Sequence, residues 1–123
     1  MLLPNLYNIQ APSNSQFSVV FTIQNDDGTL ADITGKIFEF VVRDRLNANS
    51  SKVLVSVNSS TATSNGYITV TTAASTVEVV LTAVGVGLIT DGGGPYTLWM
   101  DQGLSDATAM VTGTFFVQQV AAP

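Results

Sequence analysis

Apolar and polar residues alternate with a period of two along most of this chain, the spacing that puts successive side chains on opposite faces of a β-strand. Phe17, Val19, Phe21 and Ile23 alternate with Ser18, Val20, Thr22 and Gln24. Phe38, Phe40 and Val42 form one face of residues 36–43, with Ile37, Glu39, Val41 and Arg43 on the other. Between these two strands stand two turn signals, Asp27-Gly28 and Asp32-Ile33-Thr34-Gly35. Gly reaches positive φ without steric cost, and Asp hydrogen-bonds its own local backbone. The same alternation predicts strands over residues 52–57, 67–72, 76–81, 96–101 and about 107–120. Asn65-Gly66 is a hairpin signal between the fourth strand and the one before it. Gly113 interrupts the last strand, where an isolated Gly marks a bulge or a close backbone approach.

Two segments lack the alternation. Residues 82–91 are apolar but contain Gly85 and Gly87, which leave room for one short helical turn and no more. Residues 1–15 hold Pro4 and Pro12 and no sustained period, so they read as an extended arm before a domain of residues 16–123. Two placements of the arm are open: a lead-in strand on its own domain, or a segment whose Leu2, Leu3, Leu6, Tyr7 and Ile9 dock on a neighbouring subunit. The second placement carries the expectation that removing residues 1–12 leaves the domain folded. About seven short strands at regular spacing, with no long helix, predict an all-β fold. The expected form is an antiparallel β-sandwich, Ig-like in the broad sense.

Composition narrows the function. The 123 residues suffice for one domain with its own core. There is no Cys and no His, so thiolate chemistry, Cys-based metal sites and the usual general base are all missing. Only 11% of residues are charged, against about 25% in ordinary globular domains. The net charge is -5, and the four basic residues Lys36, Arg43, Arg45 and Lys52 are confined to one short window. That distribution lacks the cationic footprint of a nucleic-acid or anionic-membrane protein. Met1-Leu2-Leu3 runs at once into Pro4 and Asn5, so no secretory leader is expected, and the sequons at Asn49 and Asn58 read as loop residues.

Candidate chemistry is thin. Gly92-Gly93-Gly94 precedes Pro95 and a strand, not the Lys, Ser/Thr and helix of a phosphate loop. Asp26, Asp27 and Asp32 do not have the spacing of a calcium loop and suit turns instead. Glu39 and Glu78 both fall on solvent-side strand positions, which disfavours a glycosidase pair. The many Ser and Thr have no evident base to activate them. No enzyme activity, catalytic residue, cofactor or metal is expected. Val20, Val41, Val80, Trp99, Met110 and Phe116 fall opposite the expected core faces. Apolar outer faces and strand edges poor in Lys point to a domain that lives in an assembly. Arg43 and Arg45 flank Asp44 as a local ion pair or as a charged rim at a subunit contact.

The order of these motifs resembles the small Ig-like domains of tailed-bacteriophage virions, found at the N-terminus of baseplate upper proteins and in short tail-region proteins. Asp27-Gly28, the run from Asp32 to Gly35, Arg43, the stretch from Pro95 to Asp101 and Gly113 carry the resemblance, over about residues 16–120. It implies a non-enzymatic structural module, located in the virion, that oligomerises and contacts other virion proteins. Closed rings, trimers among them, follow from a heterologous interface. Leu2, Leu3, Leu6, Tyr7, Ile9, Arg43, Arg45, Trp99 and Phe116 are the candidate subunit contacts. A capsid decoration protein stabilising the head shell is the first alternative. A carbohydrate- or receptor-binding module is the second.

Overall fold

A computed structural model describes residues 5–44, 52–90, 92–101 and 105–121; the candidate contacts Leu2, Leu3 and Arg45 lie outside the described residues. In chain order the strands are β1 (Asn5–Leu6), β2 (Ile9–Pro12), β3 (Phe17–Thr22), β4 (Phe38–Arg43), β5 (Val53–Asn58), β6 (Gly66–Thr71), β7 (Thr76–Leu81), β8 (Gly93–Met100) and β9 (Thr108–Gln118). One helical turn, α1 (Ala83–Gly87), lies between β7 and β8. The seven strands expected from the alternation are all present, and the arm supplies β1 and β2.

The strands form two sheets. The smaller is antiparallel, in the order β3-β7-β6. The larger runs β1-β9-β8-β4-β5, with β2 also on β9. Its pairings are antiparallel except those of the arm, which runs parallel to β9: Asn5 lies beside Val111, and Ile9 beside Phe115. The expected antiparallel sandwich is present, and the arm adds parallel pairing at this one edge. β3 and β4 do not pair. They belong to opposite sheets and face each other across the core.

That core is the apolar half of each alternation. Phe38, Phe40 and Val42 of β4, Tyr96 and Leu98 of β8, and Phe115 of β9 are fully buried from one side. Phe21 of β3 and Val77, Val79 and Leu81 of β7 meet them from the other. Phe40 lies 5.1 Å from the Tyr96 ring and 6.1 Å from the Phe115 ring, centroid to centroid. Ile9 and Ala11 of β2 are 5% and 1% exposed and belong to the same cluster. The arm is therefore part of the sandwich. Removing it would strip an edge strand and two core residues, so the truncated domain is expected to lose stability rather than to be spared.

Three local expectations also change. Asn65-Gly66 does not close a hairpin, since β5 and β6 lie in different sheets. It ends a crossover, in a tight turn where Thr63 and Gly66 exchange backbone hydrogen bonds. β8 begins at Gly93, three residues before the expected start. Gly93 sits at φ 118, and a Cβ there would overlap the Phe115 carbonyl oxygen, so only glycine allows this approach. The bulge in β9 falls at Met110, not Gly113: Leu98 pairs with Val111 but Trp99 pairs with Ala109. That extra residue turns Met110 toward the core, where it is half-buried.

Pro95 marks where the β4–β8 ladder stops. The Asp101 N–H donates to the Ile37 carbonyl, so odd-numbered residues of β8 turn their main-chain groups toward β4. Pro95 has no N–H to give there, and the pairing with β4 ends at Val42 and Tyr96.

Candidate interaction surface

The surface features are arranged around the arm, one end of the sandwich and the outer sheet faces. The arm is held by its own backbone. Tyr7 N–H donates to the Thr112 carbonyl at 2.9 Å and Ser13 N–H to the Gln118 carbonyl at 2.8 Å. The Tyr96 hydroxyl, at the core end of its ring, donates to the Tyr7 carbonyl. Burial pushes the Tyr96 phenol far above its ordinary range, so it stays a donor at any physiological pH. Gly113 lies directly opposite Tyr96, and a Cβ there would overlap the same Tyr7 carbonyl oxygen. Gly113 is thus the close-approach glycine, and the arm is what approaches.

This docking decides where the arm's apolar residues go. Ile9 turns inward and is buried, so it is not offered to a neighbour. Leu6 is 77% exposed on the outer face beside Thr112. Tyr7 is 53% exposed, with its ring edge-on to Phe21 at 6.2 Å. Phe116 is 46% exposed on the same outer face, between Gln10 and the side-chain-free Gly93. Leu6 and Phe116 therefore share one face of one strand pair. Asn8, Gln10 and Thr114 line a shallow groove of about 400 Å³ beside Phe116.

The middle of that outer face is less open. Val41 faces outward yet is only 6% exposed, and Trp99 is half-buried beside Glu39. Burial raises the Glu39 pKa, and the nearby Arg43 opposes it. Arg43 is itself half-buried, and Asp44 lies 4.0 Å from Lys52 Nζ. Glu39 and Glu78 sit on outer faces of different sheets, with the core between them, so they cannot act on one bond. Tyr96 and Trp99, the aromatics nearest to a sugar platform, are buried and half-buried.

At one end of the sandwich the residue 24–36 turns and the ends of β8 and β9 enclose an open cleft of about 800 Å³. Asn25, Asp26, Asp27, Asp32, Lys36 and Met110 are among its walls, and no aromatic ring of the described residues lines it. Two of its carboxylates, Asp27 and Asp32, are occupied by the turns. Asp27 accepts from the Thr29 hydroxyl at 2.6 Å and from the Thr29 N–H at 3.0 Å, which hold its pKa below the usual value. Asp32 is held down in the same way by Thr34. Among the described residues no cluster of acidic side chains is placed to hold a metal ion.

Asp101 ties this end together. It is 4% exposed, at φ 58. Its Oδ1 accepts from the Ile37 N–H at 3.1 Å, and its Oδ2 lies 3.3 Å from Lys36 Nζ. The Ile37 N–H first, and Lys36 with it, hold the Asp101 carboxyl below its ordinary pKa. A carboxylate with a lowered folded pKa stabilises the fold above its unfolded pKa, near 4, and that contribution is lost as pH falls through the folded value. Asp101→Asn keeps an acceptor for Ile37 but loses the charge. Its thermal midpoint at pH 7 is expected to fall below wild type, and the gap to close by about pH 2. An equal gap at both pH values would mean that the carboxylate charge is not what holds the clamp.

Among solved structures, the chain is similar to a marsupial T cell receptor, with a TM-score of 0.60 at 10% identity. The fold is an Ig-like β-sandwich. The match covers 93% of this chain but 34% of the receptor chain, so the protein spans about a third of that chain's length. At this identity the likeness is one of fold alone. No protein family matches the sequence, and neither does any curated protein.

Within the Ig-like fold, the nine candidate contacts separate. Leu6 and Phe116 lie four positions apart on the outer face of the arm–β9 edge and Tyr7 lies on its inner side against Phe21, all three exposed. Trp99 and Arg43 lie half-buried on the larger sheet, and Ile9 is in the core. Val20 was placed opposite the core face by the sequence but not named as a contact; at 56% exposure it is the most exposed apolar residue of β3. Its place opposite Phe21 in the alternation was the available signal.

Proposed function

We propose that this protein is a non-enzymatic structural module of a bacteriophage particle, belonging to the tail or baseplate region. It works by oligomerising and by joining other virion proteins. The observation that carries the assembly reading is the uncharged apolar surface around the docked arm: Leu6, Tyr7 and Phe116 are all about half or more exposed on one edge of the larger sheet. Large apolar groups left exposed along one edge favour a contact there. The virion setting rests on the resemblance of the ordered turns and strands to Ig-like phage domains.

Quantitative mass spectrometry of purified particles tests the reading. A few to a few tens of copies per particle is the expected result. Hundreds would make the protein a capsid decoration protein instead, and absence from particles would overturn both. The carbohydrate-binding alternative has less support: the cleft offers amide and acid groups, but no ring for a sugar to stack on.

A further inference from the structure

β3 is one of the two edge strands of the smaller sheet, and the arm pairs with β9 rather than with it. The Ile23 N–H donates to the Ser75 carbonyl on the β7 side. By the alternation of an antiparallel ladder, the main-chain groups of Phe17, Val19 and Phe21 then face β7, and those of Ser18, Val20 and Thr22 face outward. Among the described residues, no hydrogen bond reaches those outward groups. All three residues are exposed.

The other edges are blunted. On β6 the outward groups belong to Gly66, Ile68 and Val70; Gly66 is already bonded to Thr63, and Ile68 is 6% exposed. On β5 they belong to Leu54, Ser56 and Asn58, all half-buried. The arm's edge is broken between β1 and β2 and ends in Pro12, which has no N–H. β3 has no charge, no proline and no bulge to protect its edge, and unlike those of β6, which lacks them too, its outward residues are all exposed.

We infer that β3 pairs antiparallel with β3 of a second copy of this chain, about a two-fold axis at Val20, joining the two smaller sheets into one. The register follows from the outward groups. Val20 meets Val20 of the second copy, and Ser18 meets its Thr22, so each outward N–H and C=O finds a partner. On the outer face a Val–Val contact is flanked by two Ser–Thr hydroxyl pairs. On the inner face Val19 stands opposite Phe21. Strand 17–22 is uncharged, so it offers nothing for an oppositely charged partner to select, whereas its own sequence is complementary across the axis. Glu78, paired with Val20 on the β7 side, is the nearest ladder charge. The two copies of Glu78 would stand about three strand spacings apart, roughly 14 Å, beyond the Debye length at physiological salt. This inference needs the protein to self-associate, as the reading above holds, but it does not need the virion.

Sedimentation of the full chain from tens of micromolar to about 1 mM is expected to show a monomer–dimer equilibrium. Val20→Lys sets two ammonium groups face to face and is expected to raise the dimer Kd by at least about tenfold, with the circular dichroism and melting of the wild type. Because the chain has no Cys, Val20→Cys provides a second readout. Directly paired residues have Cα atoms about 5.5 Å apart, within disulfide reach, so oxidation should cross-link this variant. Thr69→Cys, exposed on β6 of the same sheet, should remain largely monomeric. A wild type that stays monomeric at 1 mM overturns the inference, as does a dimer that Val20→Lys leaves intact. If Phe116→Cys cross-links and Val20→Cys does not, the protein still assembles, but through the arm-side face, and only the β3 pairing fails.

Discussion

Phe40→Ala is expected to cost about 3–5 kcal/mol of folding stability, the range for truncating a buried aromatic. Phe40 is fully buried at the centre of β4. Its ring contacts Tyr96 and Phe115, which come from the next two strands of the larger sheet. The smaller sheet closes over it with Phe21, Val77 and Val79. Removing the ring loses its transfer free energy and leaves a cavity walled by three strands of one sheet, which cannot collapse without breaking register. Urea denaturation reads the effect as a lower midpoint at unchanged slope. A loss under about 1 kcal/mol would mean that the sandwich closes on another face of β4.

Deleting residues 1–12 is expected to be at least as damaging. Burial of Ile9 alone is worth about 1.5–3 kcal/mol. The Tyr96 hydroxyl would lose the Tyr7 carbonyl and stand unsatisfied, at about 1–3 kcal/mol. The hydrogen bonds of β1 and β2 to β9 would go too, leaving the last strand as a bare edge beside Phe116. Against a typical total of about 5–15 kcal/mol, this removes most of the margin. Limited proteolysis and far-UV circular dichroism should show a largely unfolded or aggregating chain. Tyr96→Phe, harmful in the full chain, should be less so in the truncated one, since no carbonyl is left to receive the hydroxyl. A truncated protein that melts within a few degrees of the full chain would mean that the arm is not part of the core.

The period-two pattern made the core legible strand by strand. Phe38, Phe40 and Val42 were read as one face and are the buried face. Asp27-Gly28 and the stretch from Asp32 to Gly35 were read as turns and are turns, with Asp27 and Asp32 bonding their own backbone. Gly113 was legible as one of two things, and the docked arm selects between them. The arm was legible as one of two things, a lead-in strand or an intersubunit segment, and its pairing with β9 selects the first, though its bounds were not legible. Ile9 and Ala11 alternate with Gln10 and Pro12, but four residues next to a proline are too short a pattern to separate a strand from an extended tail. The Met110 bulge was also hidden, because a bulge is a mismatch between two strands and no single strand records it.

By itself the sequence determined which side of β3, β4 and β7 faces the core, where the chain turns, and that the chain is poor in charge. These are local properties: they follow from alternation, from the φ that Gly permits and from the hydrogen bonds that Asp and Thr make with their own neighbours. Only the tertiary structure decided which strands share a sheet, that the arm runs parallel along β9, and that β3 is left with an open edge. Strand pairing joins main-chain groups that every residue but proline carries alike, so the side-chain pattern of one segment does not say which distant segment will lie beside it.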